Sequence, residues 1–206
     1  MSDLFTAERR TVVLGEGAAV LAGYAGDRVE ALLETVATIT EASPFRHLVT
    51  PGGFVMSVAM TNCGRQGWVS DRRGYRYERI DPLTGRDWPA MPELFASLAR
   101  QAAAELGFDG FAPDACLINR YVAGARLSLH QDRDEASPEA PIVSVSLGAP
   151  ATFLWGGVAR GERVRRIRLG EGDVVVWGGA SRMVFHGVAP LHAGERINLT
   201  FRRAAA

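Results

Sequence analysis

Through the second half of this chain, apolar and polar residues alternate with period two. In two stretches of the first half the apolar residues instead recur at helical spacing. Strand-like runs fall at 115–121, 127–132, 142–147, 152–155, 164–169, 173–177, 182–186 and 196–201, since alternation sends successive side chains of a β-strand to opposite faces. Glycine-rich turns separate most of them, and such a block of short strands predicts a barrel or a double-sheet jelly roll. Ahead of it, 11–14 and 18–21 read as short strands around Gly-Glu-Gly, and 54–60 as another. Val29, Leu32, Leu33, Val36 and Ile39 mark one buried face of a helix, opened by Asp27 with Glu30 as a capping-box partner and closed by Ser43-Pro44. Leu94, Phe95, Leu98, Ala102 and Leu106 mark a second helix, with Pro92 as its first residue and Gly107 as its stop. The two helices are expected to cover one outer face of the strands. From 61 to 92 no strong period holds. That segment is polar and arginine-rich, and its aromatics, Trp68, Tyr75, Tyr77 and Trp88, argue for a functional segment over disorder. Residues 204–206 read as a frayed end. The expected class is α+β, mainly β, in a single domain over 1–206, with an N-terminal extension at about 11–112 and a jelly-roll core at about 113–203.

Composition changes this picture little. The 206 residues carry 23 basic and 23 acidic side chains, so no global basic field announces a nucleic-acid partner. Every basic residue is arginine. The two cysteines, Cys63 and Cys116, form no C-x-x-C pair, so neither a structural zinc of the usual kind nor a disulfide framework is expected. The first ten residues show no apolar leader, and no apolar run approaches membrane-spanning length. A cytoplasmic protein with no membrane partner is the expectation, and a monomer.

The candidate chemistry centres on Leu127-Ser128-Leu129-His130-Gln131-Asp132-Arg133-Asp134-Glu135. On a strand, His130 and Asp132 face one spot, with Asp134 continuing along that side. An imidazole beside a carboxylate makes two thirds of the 2-His-1-carboxylate triad that binds Fe(II) and leaves positions open. His186, at the end of another apolar run, is the best candidate for the third ligand. By itself His-x-Asp is more often a surface turn or a structural hydrogen bond. The last strand has clean parity. Arg196, Asn198, Thr200 and Arg202 face one side, and Ile197, Leu199 and Phe201 the other. Two arginines facing a core need an anion, and a dicarboxylate would satisfy both. Their Cα atoms lie about 20 Å apart on a straight strand. An edge strand with a solvated polar face fits this pattern equally well. Asn119 and Tyr121 share a face in Asn-Arg-Tyr and offer neutral donors for a carboxylate, although an ordinary strand with one polar side is the commoner outcome.

Taken in order, Asn-x-Tyr, His-x-Asp-x-Asp, His and Arg-x-Asn-x-x-x-Arg resemble the AlkB family of Fe(II) and 2-oxoglutarate dioxygenases. The likeness extends to Ser43-Pro44-Phe45-Arg46, Thr50-Pro51-Gly52-Gly53, the stretches 56–64 and 113–121, Pro141-Ile142-Val143-Ser144-Val145-Ser146-Leu147-Gly148 and Gly172-Asp173-Val174-Val175-Val176-Trp177-Gly178-Gly179, so it runs from about Pro44 to Arg202. It implies a double-stranded β-helix core with two flanking helices and a nucleotide-recognition lid. It implies Fe(II) on His130, Asp132 and His186, with O2 and 2-oxoglutarate as co-substrates. The resemblance gives Asn119, Tyr121, Arg196, Asn198 and Arg202 to 2-oxoglutarate, with Arg196 at the distal carboxylate and Arg202 near the metal. It also places Trp68 against the target base, Tyr75, Arg76 and Tyr77 at the nucleic-acid backbone, Asp134 at the base edge and Arg160 along the lid. The implied activity is oxidative demethylation of N1-methyladenine and N3-methylcytosine in DNA, with RNA as a second partner. Stacking on an aromatic is sequence-tolerant and is strengthened when the base is cationic, as these lesions are. The base must leave its stack to react. Two features depart from the family pattern: the connection from His186 to Arg196 is short, and Ile197 stands where an aromatic is expected.

Two other readings stay open on the residues. The same oxygenase chemistry on modified RNA, protein or a small molecule would keep the triad and the arginines without needing Trp68 and Tyr75. A catalytically silent nucleic-acid-binding module would keep the fold alone.

Overall fold

A computed structural model describes residues 10–205. The leader-free reading of the first nine residues and the reading of Ala206 fall outside those residues. The strands, in chain order, are Thr11–Gly15 (β1), Ala18–Leu21 (β2), Arg46–Val49 (β3), Val55–Gly64 (β4), Gly67–Asp71 (β5), Gly74–Glu78 (β6), Ala115–Tyr121 (β7), Leu127–His130 (β8), Ile142–Gly148 (β9), Ala151–Trp155 (β10), Arg165–Leu169 (β11), Val174–Trp177 (β12), His186–Val188 (β13) and Arg196–Arg202 (β14). The helices are Val29–Ala42 (α1) and Glu93–Ala104 (α2). The larger sheet runs β1-β2-β12-β9-β14-β7-β4-β3, the smaller β11-β10-β13-β8, and β5-β6 form a separate hairpin. Two facing antiparallel sheets with flanking helices make the expected jelly roll.

Parity explains why the large sheet is buried on both faces. Val143, Val145, Leu147, Leu199 and Phe201 join Leu32, Val36, Ile39, Phe95 and Leu98 in a core under the helices. Residues of the opposite parity, among them Tyr121, Ile142, Val175 and Trp177, meet Phe153 and Trp155 of the smaller sheet in a second core. The last strand is therefore central, between β9 and β7, and not a solvated edge.

Several local expectations are corrected. Asp27 lies in a 3-10 turn, Gly26–Arg28, and among the described residues no side chain caps α1. Leu33 remains 36% exposed, so the buried face of α1 is narrower than its apolar pattern. Arg46–Val49 is a strand that the pattern did not mark. The segment 61–92 completes β4 and then forms the β5-β6 hairpin. The strand expected at 182–186 begins only at His186, after a 3-10 turn at Gly179–Ser181. The strand expected through Asp132 stops at His130. Ala204 and Ala205 are tied down, since their N–H groups donate to the two carboxylate oxygens of Asp114 at 2.6 and 3.0 Å. No helix among the described residues is long and apolar enough to cross a membrane.

Candidate metal and 2-oxoglutarate site

Two short strands of the smaller sheet bring the metal candidates together. His130 ends β8 and His186 opens β13, and they are direct partners across the antiparallel pair. The register slips between His186 and Val188. Gly187 sits at that slip, where a Cβ would meet the Leu127 carbonyl oxygen at 2.6 Å. The glycine thus lets the two backbones approach closely enough for the imidazoles to share one spot.

Asp132 completes the group from the loop after β8. Its Oδ1 lies 3.5 Å from His130 Nε2 and its Oδ2 lies 3.8 Å from His186 Nε2. One ligand atom from each residue falls within 4.8 Å of the others. Each imidazole turns its second nitrogen to the backbone: His130 Nδ1 to Ser128 O at 2.8 Å and His186 Nδ1 to Val184 O at 3.0 Å. A carbonyl oxygen only accepts, so each Nδ1 carries the proton and each Nε2 keeps its lone pair for the shared spot.

The electrostatics suit a cation. Burial pushes the Asp132 carboxyl up, but Arg202 and the two imidazoles outweigh it and hold the group well below the usual carboxylate range. Burial, and then the neighbouring His130, lower His186 to about 4, which keeps it a neutral donor. His130 is also pushed down by burial, yet its contact with Asp132 leaves it above the ordinary histidine value. An anionic carboxylate and imidazole lone pairs aimed at one point fit Fe(II) with open positions.

A cavity of about 780 Å³ opens beside the triad, lined among others by Asn119, Tyr121, Arg196, Asn198 and Arg202. Arg196 is only 1% exposed. Its Nη2 donates to Ser146 Oγ at 3.0 Å, and its guanidinium lies over the Tyr121 ring at 5.2 Å. Its Nε and Nη1, and the Asn119 Oδ1, meet no hydrogen-bond partner among the described residues. A buried guanidinium with two idle donors is costly unless an anion completes it, so the pocket fits a carboxylate at this end. Arg202 also lines this cavity and gives Nε and Nη2 to Asp132 Oδ2 at 3.1 and 2.8 Å. Asn198 is engaged within the protein, donating to Ser144 Oγ and Val145 O and accepting from Thr200.

The substrate candidates divide. Trp68, Tyr75 and Asp134 line the same cavity. Trp68 and Tyr75 stack at 5.5 Å with an interplanar angle of 13°. Trp68 Nε1 donates to Asp134 Oδ2 at 2.8 Å, and the Asn62 amide clasps both the N–H and the carbonyl of Trp68 at 3.0 Å. Arg76, Tyr77 and Arg160 do not line the cavity. Arg76 is held by Asp71 at 2.9 Å and by Glu78 at 2.6 Å. The Tyr77 hydroxyl donates to Glu135 Oε1 at 2.7 Å. Arg160 lies over the Phe185 ring at 5.0 Å. The sequence did not single out Ser146 and Arg182, which bond Arg196 and the Asp132 carbonyl from behind the cavity, or Glu135, which lines it. The polar alternation of Ser144 and Ser146 in a strand otherwise apolar was the one usable signal.

Against known proteins, a family profile described as 2OG-Fe(II) oxygenase superfamily matches residues 17–202. The chain is 54% identical to "Alpha-ketoglutarate-dependent dioxygenase AlkB" of Salmonella typhimurium, covering 100% of this chain and 99% of that protein. It is 52% identical to the protein of the same name from Escherichia coli, covering 99% and 98%. Among solved structures, "The structure of OsALKBH1" superposes with a TM-score of 0.80 at 29% identity, covering 94% of this chain and 100% of that one. The converging triad, the anion-seeking cavity beside it and these full-length likenesses agree: the chain belongs to the AlkB family of 2OG-Fe(II) oxygenases.

Proposed function

We propose that this enzyme removes alkyl groups oxidatively from the nitrogens of nucleobases in DNA, N1-methyladenine and N3-methylcytosine foremost, and that it accepts RNA as well. The observation that carries this reading is the Trp68–Tyr75 stack opening into the cavity that also holds the triad. A flipped base stacks on Trp68 with His130 near its other face. Asp134, now bonded to the Trp68 indole, presents a carboxylate where a cationic ring and its exocyclic amine would lie. That charge favours methylated bases over neutral parents. Fe(II) with 2-oxoglutarate and O2 supplies the oxidant for the methyl carbon, and formaldehyde, succinate and CO2 are the products.

The residues of the chain bind, orient and shield. His130, Asp132 and His186 hold the metal. Asn119, Tyr121, Arg196 and Arg202 hold 2-oxoglutarate, with Asn198 and Thr200 keeping the cavity wall rigid. Extruding the base costs least from single strands and weakened pairs, so those are the preferred substrates. In this reading the protein works as a cytoplasmic monomer, and Tyr75, Arg76, Tyr77 and Arg160 border the path of the backbone. Incubation with Fe(II), 2-oxoglutarate and oligonucleotides bearing N1-methyladenine or N3-methylcytosine should release formaldehyde in step with succinate. Succinate without formaldehyde across a panel of methylated DNA and RNA would instead support an oxygenase of another substrate.

A further inference from the structure

The β5-β6 hairpin, which presents the stacking platform, is fastened to the metal site by a chain of polar groups that is buried from Glu135 inward. Trp68 and Tyr77 face each other directly across the hairpin. Trp68 Nε1 bonds Asp134 at 2.8 Å, and the Tyr77 hydroxyl bonds Glu135 Oε1 at 2.7 Å. One cross-strand pair therefore grips two consecutive residues just beyond Asp132. The Glu135 side chain is only 3% exposed and also meets two arginines. Its Oε1 lies 3.2 Å from Arg202 Nε, and its Oε2 accepts from Arg182 Nη2 at 3.0 Å. Both arginines continue to Asp132. Arg202 bonds its carboxylate at 2.8 Å, and Arg182 Nη1 donates to its backbone carbonyl at 2.9 Å.

We infer that Glu135 is a positioning residue that couples the seating of the substrate-side hairpin to the placement of the metal ligand Asp132. This coupling rests on the metal assignment above and is electrostatic in origin. Arg202 divides its charge between Asp132 and Glu135, so Glu135 limits how strongly the guanidinium competes with a metal for Asp132 Oδ2. Inside a low-dielectric core such competition is strong. The Tyr77 hydroxyl makes the position of Glu135 depend on the hairpin. A coupling of this kind is reciprocal: a metal that fixes Asp132 steadies the hairpin, and a substrate that seats the hairpin tightens the metal.

The test uses Mn(II) as the probe and needs no substrate. Mn(II) binding is followed through the electron paramagnetic resonance of the free ion, and hydrogen exchange is followed at the hairpin amides with and without Mn(II). In the unaltered protein Mn(II) should slow hairpin exchange severalfold. Tyr77→Phe keeps the ring and every charge, so Mn(II) affinity should stay within about twofold while its protection of the hairpin disappears, as loss of one link of a coupled pair requires. Glu135→Gln leaves Arg202 to Asp132 alone, and Mn(II) affinity should fall about tenfold or more, the usual cost of losing an outer-shell partner. Mn(II) that binds the unaltered protein without slowing the hairpin, or that protects Tyr77→Phe equally well, would overturn the coupling alone. Failure of the unaltered protein to bind Mn(II) would overturn both the metal assignment and the coupling.

Discussion

Arg196 carries a full charge in a place that supplies few partners. Its Nη2 donates to Ser146, the Tyr121 ring lies against it, and its Nε and Nη1 meet no hydrogen-bond partner among the described residues. Burial accordingly pulls its guanidinium below the ordinary arginine value. Replacing such a group by an apolar one of similar length is often neutral or stabilising. Arg196→Met should therefore unfold at no lower temperature than the parent when neither metal nor 2-oxoglutarate is added. Its affinity for 2-oxoglutarate should nonetheless fall by about 2 kcal/mol or more, because the distal carboxylate loses a buried charged partner. Calorimetric titration with 2-oxoglutarate in the presence of Mn(II) reads the second effect and a thermal melt the first. Trp68 calls for the opposite separation. Trp68→Ala removes the stacking surface, worth about 1–3 kcal/mol per base, and touches neither the triad nor Arg196. Formaldehyde release from a methylated oligonucleotide should collapse while 2-oxoglutarate turnover without substrate continues. Equal loss of both would show that Trp68 supports the fold and not the base.

At the scale of elements, what could be read in advance followed burial. The last strand was legible because its two faces meet different things. Ile197, Leu199 and Phe201 enter the helix-covered core, and Arg196, Asn198, Thr200 and Arg202 line the cavity. The β5-β6 hairpin was illegible because few of its side chains are fully buried, so polar contacts, such as Arg76 with Asp71 across the hairpin and with Glu78 along its own strand, replace an apolar stripe. The approach to His186 misled for another reason. Met183-Val184-Phe185 is apolar and β-like, yet the chain leaves a 3-10 turn there and pairs only from His186. Nothing local in the sequence announces that Gly187 must sit against the β8 backbone. A largely buried ion pair helps hold the loop that follows the hairpin. Arg46 of β3 bonds both oxygens of Asp81 at 2.7 and 2.8 Å and lies over Trp88 at 5.1 Å. Burial raises the Asp81 carboxyl, but Arg46, with the Leu83 N–H and the Thr84 hydroxyl, more than offsets it, so its folded-state pKa lies below the unfolded one. The pair's stabilisation is therefore complete above the unfolded carboxylate value, about 3.9, and is lost as pH falls through the lower folded value. Asp81→Asn leaves Arg46 without its charge partner and should cost about 3 kcal/mol near neutrality. It should also flatten the acid limb of the stability curve, measured by urea unfolding at pH 3 to 6. An unchanged acid limb would assign that limb to other carboxylates.

For the molecule as a whole, the two faces of the large sheet do different work. One is closed by α1 and α2 over a continuous apolar core. The other faces a cavity of about 780 Å³ whose wall includes the three metal candidates and, from β14, Arg196 and Arg202. The layer between the sheets thus contains charges that the protein alone leaves partly unmatched. Ligands that match them bind the folded state and have no comparable site in the unfolded chain, so they must stabilise the fold by mass action. At a hundredfold excess over its dissociation constant a ligand adds about 2.7 kcal/mol. For a chain of this size each kcal/mol moves the melting temperature by about 2–4 °C. Mn(II) and 2-oxoglutarate together should then raise the midpoint by several degrees, and a chelator should reverse the gain. The variants divide the effect between the two ligands. Arg196→Met should keep the increment from Mn(II) and lose most of that from 2-oxoglutarate, because its metal ligands are untouched. His186→Ala should lose both increments, since 2-oxoglutarate has no metal to chelate and the remaining ligands no longer close the triad. A 2-oxoglutarate increment that survives intact in Arg196→Met would move the distal carboxylate to another part of the cavity. An Mn(II) increment that survives in His186→Ala would move the metal off these three side chains.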